Sequence, residues 1–246
     1  MTSAQRYAEL DLLRTIAIIC MAVYHTAFDL SQFYDWEIDV FDGGWKLLAR
    51  GTAILFLLLV GTAAAVSDDR AGERSRDVRW KRHLRRFMSI GAGAFIVSLA
   101  TYAADPETYI RFGILHLIAV SALILPLTPR LKWITILPGI ILIALPFLLP
   151  SITANTELLL PFGIKPAGFR SVDYFPMIPW FGVILIGYAI GYWAYVKGTL
   201  KMKNEKLKKP IISSLTWPGR HALMCYMLHQ PIIIALLWLI LGRPTF

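Results

Sequence analysis

An all-α bundle of about seven transmembrane helices, N-terminus cytoplasmic and C-terminus external, is the fold class that three observations predict. The 246-residue chain is 57% hydrophobic, its apolar residues fall in long blocks rather than in alternation, and its Lys and Arg gather in a few connections. Blocks of about 17 to 25 predominantly apolar residues have the length that crosses a bilayer. Seven occur, near 12–30, 46–66, 87–104, 110–127, 133–150, 177–196 and 219–241. A soluble domain of this length would not carry them so.

The first block holds Arg14 and His25 and is followed by Asp35, Glu37, Asp39 and Asp42. No small-residue cleavage site follows it, so it reads as a retained helix rather than a cleaved signal. Arg50 lies just below the outer start of the second. Arg70, Arg74, Arg76, Arg79, Lys81, Arg82, Arg85 and Arg86 fill the linker from Ser67 to Arg86, and six lysines fill the one from Lys197 to Lys209. Both linkers belong in the cytoplasm by the positive-inside rule, as do Arg130 and Lys132 between the fourth and fifth blocks. His83, in the first basic linker, reads as a solvated surface residue. Pro138 and Pro146 predict a kinked fifth helix. The external segment 151–176 mixes Pro, Gly and an apolar triplet, which suits a re-entrant or lid-like element. Gly182, Gly187 and Gly191 predict close helix packing in the sixth block, and Trp36, Trp45, Trp133, Trp180, Trp193 and Trp217 read as interfacial belts. No connection is long enough for an independent core, so residues 1–246 read as one membrane domain.

The net charge of +9 follows from the basic cytoplasmic loops, with a contribution from anionic membrane lipid, and does not indicate nucleic acid. Cys20 and Cys225 lie within apolar blocks and read as packing residues. There is no metal-ligand spacing, P-loop, dinucleotide fingerprint or nucleophile elbow. Absence of an internal repeat counts against inverted-repeat transporters.

Ionisable groups inside a span are costly and usually functional. Arg14 and His25 are eleven residues apart, about three turns, so both leave one face of a helix about 16 Å apart along its axis. That spacing suits a long ligand with two ends. The alternative for Arg14 is snorkelling to the surface or a local ion pair with Asp11, and for His25 a satisfied core position. With the predicted topology, His25, Arg50, Arg111, His116 and Asp173 share the external half of the bilayer, with His229 near the middle of the seventh helix. An outer polar chamber explains a shared depth. A histidine there suits general base catalysis, with Asp29, four residues on, either fixing the His25 tautomer or belonging to the interfacial loop. Arg14, at the cytoplasmic edge, suits bidentate phosphate binding.

The blocks ELDLLRTIAIICMAVYH, RGTAILFLLLVG, RFGILHLIAVSALIL, DYFPMIPWFGVILIGYAIG and GRHALMCYMLHQPIII resemble, in order and over nearly the whole chain, the bacterial relatives of heparan-α-glucosaminide N-acetyltransferase. Arg, ten residues, then His in the first helix is also similar to the signature of integral-membrane sugar O-acyltransferases. The resemblance implies transfer of an acyl group, typically acetyl from cytoplasmic acetyl-CoA, to an extracytoplasmic sugar hydroxyl or amine. It matches His25 to the essential histidine and Arg14 to its basic partner. Arg111 and His116 match one block, Asp173 and Pro176 another, and His229 with Gln230 a third. Residues 31–45 contain no histidine, so a covalent acyl-histidine at the family's first external loop is not expected.

The resulting expectation is a multi-pass acyltransferase of the cytoplasmic (inner) membrane, with acyl-CoA, a carbohydrate acceptor and lipid as partners and no metal. A homo-oligomer is compatible with it. Arg14 would hold the CoA phosphates, His25 would deprotonate the acceptor, and Arg50, Arg111 or His116 would stabilise the oxyanion. Direct transfer is preferred to an acyl-His25 intermediate. The rivals are a proton-coupled carrier of small anions and a non-catalytic envelope protein.

Overall fold

The computed structural model of the protein describes residues 7–71, 76–128, 131–149, 152–198 and 210–243. Arg74, Arg130 and the lysines from 201 to 209 lie outside the described residues. The architecture is all-α: α1 (Ala8–Phe33), α2 (Gly43–Ala71), α3 (Arg76–Ala104), α4 (Ile114–Ile124), α5 (Ile136–Leu148), α6 (Met177–Gly191), α7 (Pro210–Leu215), α8 (Trp217–Arg220) and α9 (Ala222–Leu241). Short 3-10 turns and a π-helical turn, Tyr192–Val196, complete it. α1, α2, α3, α6 with its π turn, and α9 are long and apolar enough to cross a membrane.

The fourth and fifth blocks differ from the expectation. α4 has 11 residues and α5 has 13; with their adjoining 3-10 turns they run Ile114–Leu127 and Lys132–Leu148, about 22 and 28 Å of helix against a hydrocarbon core of about 30 Å. α4 starts late because Phe112, just ahead of it, pairs with Tyr174 in a parallel bridge. Arg111 therefore precedes the helix instead of lying within it. Pro138 falls in the first turn of α5, where its missing N–H would be unpaired anyway.

The basic linker also differs. α2 runs on to Ala71 and α3 begins at Arg76, so most of the supposed loop is helix. Lys and Arg are good helix formers whose stems cover apolar surface. In consequence His83 is fully buried, not solvated, and its Nε2 lies 3.0 Å from Asp68 Oδ1. Segment 151–176 holds a six-residue 3-10 helix, Glu157–Phe162, closed by the left-handed Gly163.

The chain forms two compact units, residues 1–56 with 202–246, and residues 57–201, so α2 contributes its first half to one and its second half to the other. In the first unit α1 packs against α8 and α9. The Gly219 N–H donates to Thr15 Oγ1 at 3.0 Å, and a Cβ at Gly219 would collide with the Asp11 carbonyl. Only glycine permits that approach. The Tyr34 hydroxyl donates to the Gly242 carbonyl at 3.1 Å, tying the end of α1 to the end of α9.

In the second unit α3 packs on α4 and α5 on α6. α6 uses its glycines as expected: a Cβ on Gly187 would meet the Leu58 backbone, and one on Gly182 the Gly139 carbonyl. Backbones this close gain dispersion contacts that lipid tails cannot supply. Thr62 Oγ1 donates to the Gly187 carbonyl at 3.0 Å, and Thr135 Oγ1 to that of Leu185 at 3.2 Å.

Candidate active site

In the first unit, α1 carries Arg14, His25 and Asp29 on one unbroken helix, as the eleven-residue spacing requires. Arg14 donates to Asp11 Oδ1 at 2.8 Å, so the local ion pair exists; its side chain remains 22% exposed. His25 meets His229 of α9, ring centroids 4.9 Å apart and edge to face. Two sequence candidates 204 residues apart thus share one interface. Asp29 is fully buried and accepts from Gln230 Nε2 at 2.6 Å. Its partner is therefore the glutamine of α9, where the sequence offered the His25 ring or the interfacial loop. Arg50 lies exposed on α2.

His229 has a defined tautomer. Its Nδ1 is 2.6 Å from the Tyr226 carbonyl, and a carbonyl can only accept, so Nδ1 carries the proton and the neutral ring keeps its lone pair on Nε2. Among the described residues, that Nε2, Asp29 Oδ2 and Gln230 Oε1 are buried without a hydrogen-bond partner.

The second unit gathers Arg111, His116 and Asp173 at the head of α4. The 105–113 segment and the 165–176 segment run alongside each other, Val172 N–H donating to the Thr108 carbonyl and Phe175 N–H to that of Phe112, each at 2.9 Å. Asp173 Oδ2 accepts the Ile114 N–H at 3.0 Å, taking one of the donors that a helix start leaves open. A Cβ on Gly113 would collide with that carboxyl, which explains the glycine in RFGILH. Burial pushes the Asp173 carboxyl up to about 6, against the opposing pull of the Ile114 N–H, and burial raises the Tyr174 phenol to about 12.

His116 uses both nitrogens for this cap. Nδ1 accepts the Gly113 N–H at 3.2 Å, and Nε2 lies 3.3 Å from Ser98 Oγ, whose hydroxyl donates to the Ile110 carbonyl. Arg111 is held likewise. Its guanidinium donates to the Arg170 carbonyl at 2.8 Å, pairs with Glu157 at 3.1 Å and lies 4.3 Å from the Tyr109 ring centre. A cavity of about 280 Å³ opens beside it, lined by residues including Glu107, Asn155, Glu157, Phe169 and Arg170.

Sequence reasoning missed a second polar network in this unit. Asp68, at the end of α2, bridges His83 of α3 and the Tyr188 hydroxyl of α6, the latter at 3.2 Å. A carboxylate and a histidine fifteen residues apart across a basic run carry no local signal of pairing. Only two helices continuing through that run bring them together.

A family model described as heparan-alpha-glucosaminide N-acetyltransferase, catalytic, matches residues 6–231. No curated protein and no solved structure matches the chain. The family match takes in α1 with Arg14 and His25, the cap at the head of α4, and α9 through Gln230 and Pro231. The chain therefore belongs to the heparan-alpha-glucosaminide N-acetyltransferase catalytic family and is an acetyl-CoA-dependent membrane acyltransferase.

Proposed function

We propose that the protein moves an acetyl group from cytoplasmic acetyl-CoA to an amine or hydroxyl of an extracytoplasmic sugar, with residues 1–246 working as one domain of the cytoplasmic membrane. The observation that carries this reading is the His25–His229 contact, because it joins two histidines from opposite ends of the family match in a water-poor place. The pair handles the proton that the acceptor must lose. Arg14, about 16 Å along α1 from His25, meets the phosphates of CoA, exchanging its local Asp11 contact for a bidentate one. Arg50, in the same unit as the histidine pair, is the cation proposed for the oxyanion. His116 and Asp173, whose polar atoms hold the head of α4, position that region.

Acidic residues 35–42 against the basic 67–86 run support an external first loop and a cytoplasmic first linker. Reporters at Asp39 and Arg79 should therefore fall on opposite sides of the membrane. The deciding experiment is a titration of detergent-purified protein with acetyl-CoA. Saturable binding supports the transferase reading, and no binding leaves the anion carrier in its place.

A further inference from the structure

We infer that the cavity beside Arg111 is a headgroup site for a membrane phospholipid carrying both a phosphate and a primary ammonium, the phosphoethanolamine class. The site lies wholly within residues 57–201 and does not depend on which acceptor is acetylated.

The chain around the cavity sets its depth. Glu157 lines it and also opens the 3-10 helix Glu157–Phe162. That helix buries Leu160, whose carbonyl takes the Tyr174 hydroxyl, yet it leaves Leu158 82% and Phe162 56% exposed. A Cβ on Gly163, which closes the helix, would lie 3.2 Å from the Ile178 carbonyl, so the helix sits at the first turn of α6. α5 runs antiparallel to α6, Gly139 meeting Ile186 and Gly182 meeting Ile143. Its end therefore reaches the same level, where Phe147, Leu148 and Leu149 are exposed. Bare apolar side chains at the end of a spanning bundle, next to charged ones, belong at the boundary between headgroups and acyl chains.

Arg111 decides which charges face the cavity. Its Nη1 donates to the Arg170 carbonyl at 2.8 Å and to the Glu107 carbonyl at 3.5 Å, drawing the two segments together, while its Nε pairs with Glu157. Those two charges cancel. Glu107 and Arg170 are exposed and form no ion pair among the described residues, so one carboxylate and one guanidinium remain on walls held by the same nitrogen. A ligand that meets both carries an anion and a cation. A phosphate suits the Arg170 fork, and an ammonium donates to Glu107 and to the side-chain oxygen of Asn155, which also lines the cavity. About 280 Å³ is small for a ligand pocket and suits a headgroup without its chains. The acyl chains then run past Leu158 and Phe162. Choline fits less well: it donates no hydrogen bond, and Phe169, the one lining ring, already faces Arg111 at 5.3 Å and makes no aromatic cage alone. A purely anionic headgroup would meet the like charge of Glu107.

The test is native mass spectrometry of the purified full chain after exposure in detergent to phosphatidylethanolamine, phosphatidylcholine and phosphatidylglycerol with identical acyl chains. Phosphatidylethanolamine should be retained with about 10-fold or greater preference, the scale of one hydrogen bond to a charged group. Equal retention of the three would overturn the assignment. Glu107→Gln should erase the preference over phosphatidylglycerol and Glu107→Lys should reverse it, with the melting temperature in detergent alone unchanged because Glu107 is exposed. A preference for phosphatidylethanolamine that survives in Glu107→Lys would overturn the site. Arg170→Gln should weaken its retention about 10-fold. Glycerophosphoethanolamine, the same headgroup without acyl chains, should displace the phospholipid poorly; displacement at equal concentration would make the ligand a soluble one and overturn its assignment to the membrane. Acetyl-CoA enters none of these measurements, so their failure leaves the transferase reading intact.

Discussion

The α1–α9 interface and the cap at the head of α4 both bring histidine and aspartate together, yet they treat hydrogen bonding in opposite ways. At the cap, His116 spends both ring nitrogens on Gly113 and Ser98, and Asp173 closes the Ile114 N–H. At the α1–α9 interface, Asp29, His229 and Gln230 each satisfy one atom and leave another unmet. A saturated network rigidifies a fold; a network with unmet acceptors can still take up a donor. Residue type alone does not separate structure from chemistry. The count of remaining valences does.

The contrast is sharpest in rate. His229→Ala should lower acetyl transfer per folded molecule by about 10²- to 10⁴-fold, the range of a lost general base, with acetyl-CoA binding retained. A near wild-type rate would break the distinction at once. Arg14→Ala should act on binding instead, weakening acetyl-CoA by about 10-fold or more with a smaller effect on kcat, since a phosphate contact is made in ground and transition states alike. Arg14→Lys should recover part of the loss, lacking the planar fork. Identical affinities in wild type and both variants would leave Arg14 with a structural role only.

Glycine and cap variants away from the α1–α9 interface should move stability and spare chemistry. Gly187→Ala forces a methyl into the Leu58 backbone and should cost about 1–3 kcal/mol. Gly51→Ala, with open space around it on α2, should be neutral or slightly stabilising. Thermal unfolding in one detergent measures both. His116→Ala leaves the Gly113 N–H without its acceptor and should cost about 1–3 kcal/mol, with turnover per folded molecule within a few-fold of wild type. A rate collapse at unchanged melting temperature would move His116 into the chemistry.

Asp173 supplies the smallest effect and a sign. Its carboxyl titrates near 6 in the folded chain, raised from an ordinary 3.8, so the folded state binds the proton more tightly than the unfolded state. The stability this adds is fully present below about pH 4 and is lost as pH rises through about 6. The melting temperature of wild type relative to Asp173→Asn should fall across that window. A relative rise would mean that the Ile114 N–H, not burial, dominates the site.

Helix existence was legible in the chain because bilayer thickness converts directly into the length of an apolar block, and each of the seven blocks contains a helix. Where they end was less legible. The 67–86 run has the charge of a loop but the propensity of a helix, and two helices continuing through it are what bury His83 against Asp68. Arg111 and His116 sit in one apolar block, yet pairing of Thr108 and Phe112 with residues 172–175 keeps Arg111 out of the helix, which begins only at Ile114.

By itself the sequence determined what depends on neighbours along the chain: the helical class, the glycine face of α6, and the placing of Arg14 and His25 on one side of α1. Helical periodicity and side-chain volume are local properties, so spacing is enough to read them. The tertiary structure alone decided that His25 meets His229, that Asp29 chooses Gln230 over its own helix, and that His116 is spent on a cap. Those outcomes depend on which buried donor finds which acceptor across 18 to 204 residues of chain. That competition is settled by packing geometry, because a carboxyl or an imidazole accepts any suitably placed N–H and carries no sequence mark of the one it will get.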